Sequence, residues 1–335
     1  MPLDENAQCT VCIPTYNQSR YLREAVKSVA AQTAPVRLLV SNDASPDDTE
    51  EVIKELQQEY RFDAFHHRTN LGISANLQWL LRQPTTPLIM RLDSDDLLHP
   101  EYIQELSALL ARFPKAAYAH CAITEIDGED RRLGERRLAR VKEYQDDSES
   151  LRASINGYQV AANILLFRRE ALESVNFGAG SAKLNFVEDY DLSIRLADAG
   201  WGNVYSSKVL ASYRMWSGSS RPAAGRKLTE VRGLSQILSG SLSTAFERRG
   251  WSLAPLRRRG MELAILNSEI LDRAEFTAGQ REEMVAALLQ LSGSPSVRWF
   301  FSDTFTGRAA RRTLHTANEF KLGIKRQIKS ALFRR

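Results

Sequence analysis

Cysteine is scarce, with three in 335 residues, and an odd number that small builds no disulfide framework. Cys9 and Cys12 are spaced as C-x-x-C, but Cys12 lies inside the apolar run Val11-Cys12-Ile13 and no second pair completes a zinc site. Both read as core strand residues. Long apolar runs are also missing: the longest, Ala161 to Phe167, ends at Arg168 after seven residues, far short of the roughly 20 that a membrane span needs. The opening MPLDENAQ lacks the basic segment and apolar stretch of a secretory signal, so the expected compartment is the cytosol. Glycine is absent from Pro14 to Ser19, which argues against a glycine-rich phosphate loop there. With 43% hydrophobic and 26% charged residues, the composition is that of a folded globular chain with room for a real core.

Charge is unevenly spread. Residues 1–222 hold 25 Lys and Arg against 31 Asp and Glu, whereas residues 223–335 hold 20 against 10. The acidic first part is unsuited to nucleic acid, while the basic second part suits an anionic surface such as membrane phospholipid. A boundary is expected near Pro222, giving domains 1–222 and 223–335.

The first part alternates strand-like and helix-like segments, the signature of an α/β fold with a mostly parallel sheet. Strands are expected at Cys9 to Pro14, Arg37 to Asn42, Phe62 to His67 and Pro87 to Leu92. Tyr21, Leu22, Ala25, Val26 and Val29 recur at helical spacing, Thr49 is placed to cap the next helix, and Ser74 to start a third. Further on come a helix at Pro100 to Arg112, a strand at Ala116 to Thr124, a hairpin-like turn at Asp127-Gly128, a strand at Asn163 to Phe167 and a helix at Glu188 to Ala199. The charged stretch Glu129 to Ser150 reads as a mobile surface segment or lid. After Pro222 the pattern is mainly helical, broken at Gly250, Pro255 and Ser292 to Pro295.

In such folds ligands sit beyond the carboxyl ends of the strands, and two strand exits here are acidic: Asp43, and Asp93-Ser94-Asp95-Asp96. Strand alternation puts Asp93 and Asp95 on one side and Asp96 on the other. Paired carboxylates suit magnesium or manganese and a sugar hydroxyl, although such a cluster also occurs as a plain solvated turn. An EF-hand is excluded by Leu98 and Gln104 at its glycine and glutamate positions. Val187-Glu188-Asp189-Tyr190-Asp191 opens a helix, where acids suit the dipole and where a carboxylate facing a cleft can serve as general base.

Taken in order, CTVCIPTYNQSRYLREAVKSVAAQTAPVRLLVSNDASPDDT, NLGISANLQWLL, PLIMRLDSDDLLHPEYI, NFVEDYDLSIRLADAG and YRMWSGSS resemble the family-two inverting glycosyltransferases of GT-A fold, over about residues 9–220. The resemblance implies transfer of a sugar from a nucleotide-diphosphate sugar, a UDP- or dTDP-sugar, to a saccharide or lipid-linked acceptor in cell-surface polysaccharide or lipopolysaccharide synthesis. It implies that Pro14, Tyr16 and Asn17 form the first nucleotide loop, that Asp43 bonds the base, and that Asp93 contacts the ribose. Asp95, with Asp96, would hold Mn2+ or Mg2+ at the diphosphate. Asp189 would be the catalytic base with Glu188 beside it, and Arg214 would reach the phosphates. Asn70 and Gly72 read as loop-shaping, and Arg91 as cover for a sheet edge.

The chain departs from the family where many members carry His: here Tyr213-Arg214-Met215-Trp216-Ser217 places Trp216, to pack over the sugar or to fill the lobe. Asn42 also stands where many members have an acid. The alternative is a non-catalytic nucleotide-sugar or glycan-binding protein on the same scaffold; a nucleotidyltransferase is disfavoured by the glycine-free first loop. Tyr158, Gln159 and Asn163 are further pocket candidates. Finally, Phe320, Ile324, Ile328 and Leu332 repeat every four residues with Lys321, Lys325, Arg326 and Lys329 on other faces. Residues 319–335 are thus expected to form a basic amphipathic helix, for anionic membrane at the inner face of the plasma membrane or for packing on protein.

Overall fold

The computed structural model describes residues 7–177, 187–216, 224–272, 276–314 and 316. Its chain divides into two compact units, the first comprising residues 1–183 and 188–220, the second 184–187 and 221–335. Among the described residues no helix is long and apolar enough to cross a membrane.

The first unit opens with the expected alternation: β1 (Cys9–Thr15), α1 (Ser19–Ala30), β2 (Arg37–Asn42), α2 (Thr49–Glu59), β3 (Asp63–His66), α3 (Ile73–Leu80) and β4 (Leu88–Arg91). These strands pair in parallel in the order β3-β2-β1-β4. Then follow β5 (Leu97–Leu98), α4 (Tyr102–Arg112), β6 (Ala116–Ile126), β7 (Arg132–Arg136), β8 (Tyr144–Gln145), α5 (Asp147–Ser154), β9 (Leu165–Arg168), α6 (Arg169–Ser174), α7 (Glu188–Asp198) and β10 (Gly202–Arg214). The sheet continues β4-β9-β6-β10-β5, with β9 antiparallel to both neighbours and β10 parallel to β6.

Helices cover both faces because strand residues alternate sides. Cys9, Val11 and Ile13 of β1 pack with Leu22, Val26 and Val29 of α1, Ile53 of α2 and Leu106 of α4. Cys12 points the other way, into a cluster with Leu77 and Leu80 of α3, Leu172 of α6 and Leu192 of α7. The two thiols of the C-x-x-C therefore face opposite layers, and burial pushes both up, out of the range of a reactive thiolate.

Three expectations are corrected. Thr49 is the first helical residue of α2 and not its cap; Asp47 accepts from the Thr49 N–H at 3.2 Å and hydroxyl at 2.5 Å, and from the Ser19 N–H at 3.3 Å, joining the starts of two helices. The stretch 129–150 is built into the sheet: β7 pairs with β6, β8 pairs with β10, and Asp146 and Glu149 form a capping box on α5. Its arginines are committed, Arg136 to Glu125 and Arg140 to Asn203 at 2.5 Å. The thirteen-residue β10 was not expected at all. It starts at Gly202, where a Cβ would lie 2.3 Å from the Gln145 carbonyl, so only glycine admits β8 this closely.

The second unit is helical: α8 (Ala224–Gln236) passes through a π-helical turn (Ile237–Ser241) into α9 (Leu242–Arg248), followed by α10 (Ala254–Asn267), α11 (Ala278–Ser292), the single turn α12 (Arg298–Phe301) and a helix over 305–314. Gly250 at φ 65° and Gly293 at φ 63° end α9 and α11. Arg311, fully buried, pairs with Asp272 at 2.7 Å and donates to the carbonyls of Phe300 (2.6 Å) and Ser302 (2.9 Å). The expected amphipathic helix at 319–335 lies outside the described residues.

Two outcomes follow for stability. Arg311→Met strands Asp272 and two carbonyls, and removal of one partner of a buried pair costs about 3–5 kcal/mol; urea denaturation of the full chain should show it. His120, buried in β6 against Tyr205 at 5.0 Å, is pushed down from 6.5 to about 3 by burial and by Arg140. Its unfolded form takes up the proton first, so its contribution is whole above about pH 6.5 and is lost as pH falls toward about 3. His120→Gln should flatten the acid-side slope by up to about 1.4 kcal/mol per pH unit.

Candidate active site

The strand exits converge on one acidic crevice. At the end of β4, Arg91 is seated between β1 and β9 in register with Cys12 and Leu165, and its side chain is 7% exposed. A cation so enclosed requires carboxylate partners, and it has two. Its Nε donates to Asp93 Oδ1 at 3.0 Å and its Nη1 to Asp189 Oδ1 at 2.6 Å. Burial works against the guanidinium charge, but Asp189 and Asp93 outweigh it and push Arg91 further up. Arg91 is thus a bridge between the acidic turn and the start of α7, and the reading of it as edge cover is corrected.

Asp93-Ser94-Asp95-Asp96 is a tight turn closed by the Asp96 N–H on the Asp93 carbonyl at 3.0 Å, so its side chains are not set by strand alternation. Asp96 is buried and accepts from the Arg214 N–H at 2.9 Å; burial, then Asp93 and Asp95, push its carboxyl well up. Asp95 is also raised, by burial and by Asp93, against the pull of a hydrogen bond from the Trp216 indole at 2.7 Å. The Trp216 ring meets Tyr21 edge-on at 5.2 Å, and the Arg214 guanidinium lies 4.5 Å from the same Tyr21 ring.

Arg214 itself is buried. Its Nε donates to the Asp95 carbonyl at 2.9 Å, Nη1 to the Asp127 carbonyl at 2.6 Å and Nη2 to Asp130 Oδ1 at 2.6 Å. Three of its five N–H groups thus brace the turn from behind.

At the exits of β1 and β2, Pro14 pairs with Ser41 one residue before the end of β1, Tyr16 is half exposed, and Asn17 takes a left-handed φ of 54°. The Asn17 N–H donates to Ser45 Oγ at 3.0 Å, and Ser45 donates in turn to Asn42 Oδ1, locking the loops after β1 and β2 together. Asp43 is buried and accepts from the N–H groups of Leu71 at 2.8 Å and Gly72 at 2.9 Å. Asn70 donates to the Asp43 carbonyl at 3.1 Å, and Gly72 sits at φ 86°, both shaping the loop as the sequence suggests. That loop leads into α3, where Ser74 Oγ donates to Glu188 Oε1 at 2.5 Å.

Of the candidates from sequence, then, Asp93 and Asp189 share one guanidinium, Asp95 and Trp216 share a hydrogen bond, and Glu188 is tied to α3. Asp43 instead organises the 70–72 loop. Sequence reasoning missed Arg91, Tyr21 and Ser74; for Arg91 the signal was present, since a lone arginine in the apolar run Leu88 to Leu92 demands a buried counter-charge. Tyr158, packed near Tyr190 at 6.1 Å, is pushed well up by burial and by Asp189.

Among the described residues no three acidic, histidine or cysteine side chains converge as an all-protein metal cage. The donor set nonetheless fits a hard divalent cation held by few carboxylates and by substrate phosphates. Asp95 is a carboxylate raised by burial and by a like charge, the condition a cation relieves; Asp96 faces inward, onto a backbone N–H.

Comparison with known proteins bears on the fold and the class of activity. Residues 10–175 match Glycosyl transferase family 2. An uncharacterized glycosyltransferase of Rickettsia typhi is 21% identical over 286 residues, covering 78% of this chain and 86% of that one. The minor teichoic acid biosynthesis protein GgaB of Bacillus subtilis is 34% identical over 97 residues, 28% of this chain but 11% of its own length. Among solved structures, S. aureus TarS 1–349 superposes with a TM-score of 0.63 at 15% identity, covering 88% of this chain and 85% of that one; it has also been solved with UDP-GlcNAc. The mannosyltransferase PcManGT of Pyrobaculum calidifontis, in complex with GDP-Man and Mn2+, superposes with a TM-score of 0.55 at 15% identity, covering 96% and 82%. The fold is GT-A-like, and the chain is a glycosyltransferase.

Arg91→Met should leave Asp93 and Asp189 without their shared cation and lower stability by about 3–5 kcal/mol in urea denaturation. Arg91→Lys restores charge but not the two-way bridge, and should recover only part of that loss.

Proposed function

We propose that this glycosyltransferase moves a sugar from a nucleoside-diphosphate sugar to a saccharide or lipid-linked acceptor by a single inverting displacement, in the synthesis of a cell-surface glycan. The observation that carries the reading is the Arg91 bridge, which holds Asp189 at the head of α7 beside the acidic turn. A carboxylate fixed in this way is placed to take the proton of an acceptor hydroxyl as it attacks the anomeric carbon. Glu188, held by Ser74, orients the same helix start.

The donor lies across the exits of β1, β2 and β4. Tyr16 and Asn17 line the first loop, Asp43 fixes the 70–72 loop that borders the base, and Asp93 faces the ribose. Asp95 would hold Mn2+ or Mg2+, which when bound would offset charge developing on the departing diphosphate. Trp216 covers this end of the crevice and excludes water, strengthening electrostatic stabilisation there. TarS with UDP-GlcNAc and PcManGT with GDP-Man and Mn2+ support a nucleotide-sugar donor and a divalent ion; GgaB supports a surface glycan as the product. The protein works at the cytoplasmic face of the membrane.

Asp189→Asn should lower kcat by about 10²- to 10⁴-fold, the usual worth of a general base, while calorimetry shows donor binding unchanged. Full turnover in that variant would overturn the assignment. Asp95→Asn should abolish the metal dependence of donor binding; if binding keeps its metal dependence, Asp95 is not the ligand.

A further inference from the structure

The second unit carries a cavity that the transfer reaction does not use. A groove of about 470 Å³ opens between α10, α12 and the helix over 305–314, lined by Met261, Ile265, Trp299, Phe301, Ala310 and Leu314 among others. Its single hydroxyl, on Thr313, is already spent on the Ala309 carbonyl at 3.0 Å. Apart from the indole N–H of Trp299, no polar side-chain group is left to read a base, a sugar or a phosphate inside it, and the groove suits hydrocarbon. Its walls are fixed: Arg311 ties the 305–314 helix to the Phe300 and Ser302 carbonyls and to Asp272.

The rim differs from the interior. Trp299 is 55% exposed and Leu314 46%, and Phe305, at the start of the last described helix, is 82% exposed. Isolated exposed apolar residues need no explanation, but Trp299 and Leu314 both line the apolar groove and extend it into a surface patch. Arg298, Arg308 and Arg312 are exposed on the same elements. From Val297 to the end, the sequence holds ten Lys and Arg against two acids, Asp303 and Glu319. An aromatic and aliphatic patch inside a strongly cationic segment is complementary to one kind of surface, apolar beneath and anionic on top.

We infer that this groove is a lipid site: it seats an acyl chain of an anionic phospholipid, with Trp299, Phe305 and Leu314 entering the bilayer interface and Arg298 and Arg312 meeting the headgroups. Tryptophan is the side chain favoured at that depth, its body apolar and its N–H turned to the polar zone. The basic residues beyond 317 lie outside the described residues and enter only through their charge. This site is independent of the transfer chemistry, because lipid binding is read without turnover.

The test is co-sedimentation of the full chain with phosphatidylglycerol vesicles and with phosphatidylcholine vesicles, at low and high salt. Binding should need the anionic lipid and weaken with salt. Leu314→Asp should weaken it by about tenfold or more, and Arg298→Ala with Arg312→Ala should raise the anionic lipid required. Acyl chains brominated at mid-depth should quench the tryptophan emission of the wild type, and Trp299→Phe should remove most of that quenching. Circular dichroism melting of each variant guards against simple unfolding. Equal binding by folded Leu314→Asp, or quenching unchanged in Trp299→Phe, would overturn the site and leave charge alone as the attraction. Lipid-free dimers that Leu314→Asp disperses would show a second copy on the patch and overturn it as well.

Discussion

The Arg91 guanidinium is the point on which the site depends. It is delivered by a strand in the middle of the sheet, out of water, with one carboxylate two residues ahead and another 98 residues further along the chain. Neither acid alone would meet the cost of enclosing that cation, and without the cation two acids would be forced together in a poorly hydrated space. Folding therefore has to bring the start of α7 to the end of β4. The same interaction that completes the fold also fixes the direction in which the Asp189 carboxylate can face.

Around that bridge the acidic turn is held from behind. Arg214 and its backbone N–H take up Asp96, the Asp95 carbonyl and the Asp127–Asp130 loop, while the indole of Trp216 reaches the Asp95 carboxylate. The three aspartates of the turn thus have three different partners: Asp93 the Arg91 guanidinium, Asp95 the Trp216 indole and buried Asp96 the Arg214 N–H. This division explains how three aspartates can occupy four consecutive positions without unfolding the turn.

Much of this was legible in the sequence where local rules decide. The four parallel strands follow from short apolar runs separated by helical periodicity, and the acidic residues at two strand exits stand out in the sequence itself. What escaped shares one physical cause: partners distant in sequence. β10 contains buried Asn203, Ser212 and Arg214, and polar side chains that are buried because of remote partners erase the alternation that marks a strand. The stretch 129–150 reads as a solvated loop because its charges are counted singly, whereas Arg136 pairs with Glu125 on β6 and Arg140 donates to Asn203 on β10. Asp43 looks like a free acid until the N–H groups of Leu71 and Gly72 are brought to it.

The long parallel pairing of β10 with β6 has one more consequence. It begins with Gly202 opposite Ala116 and ends with Arg214 opposite Ile126, with register shifts at Ser206/Val209 and Val209/Ala211. Since side chains alternate along a strand, one residue gained or lost between those bulges and Arg214 would turn that arginine to the opposite face and carry Trp216 away from Asp95. The last few residues of β10 thus act as a ruler: their number, and not only their identity, sets where the Arg214 and Trp216 side chains arrive.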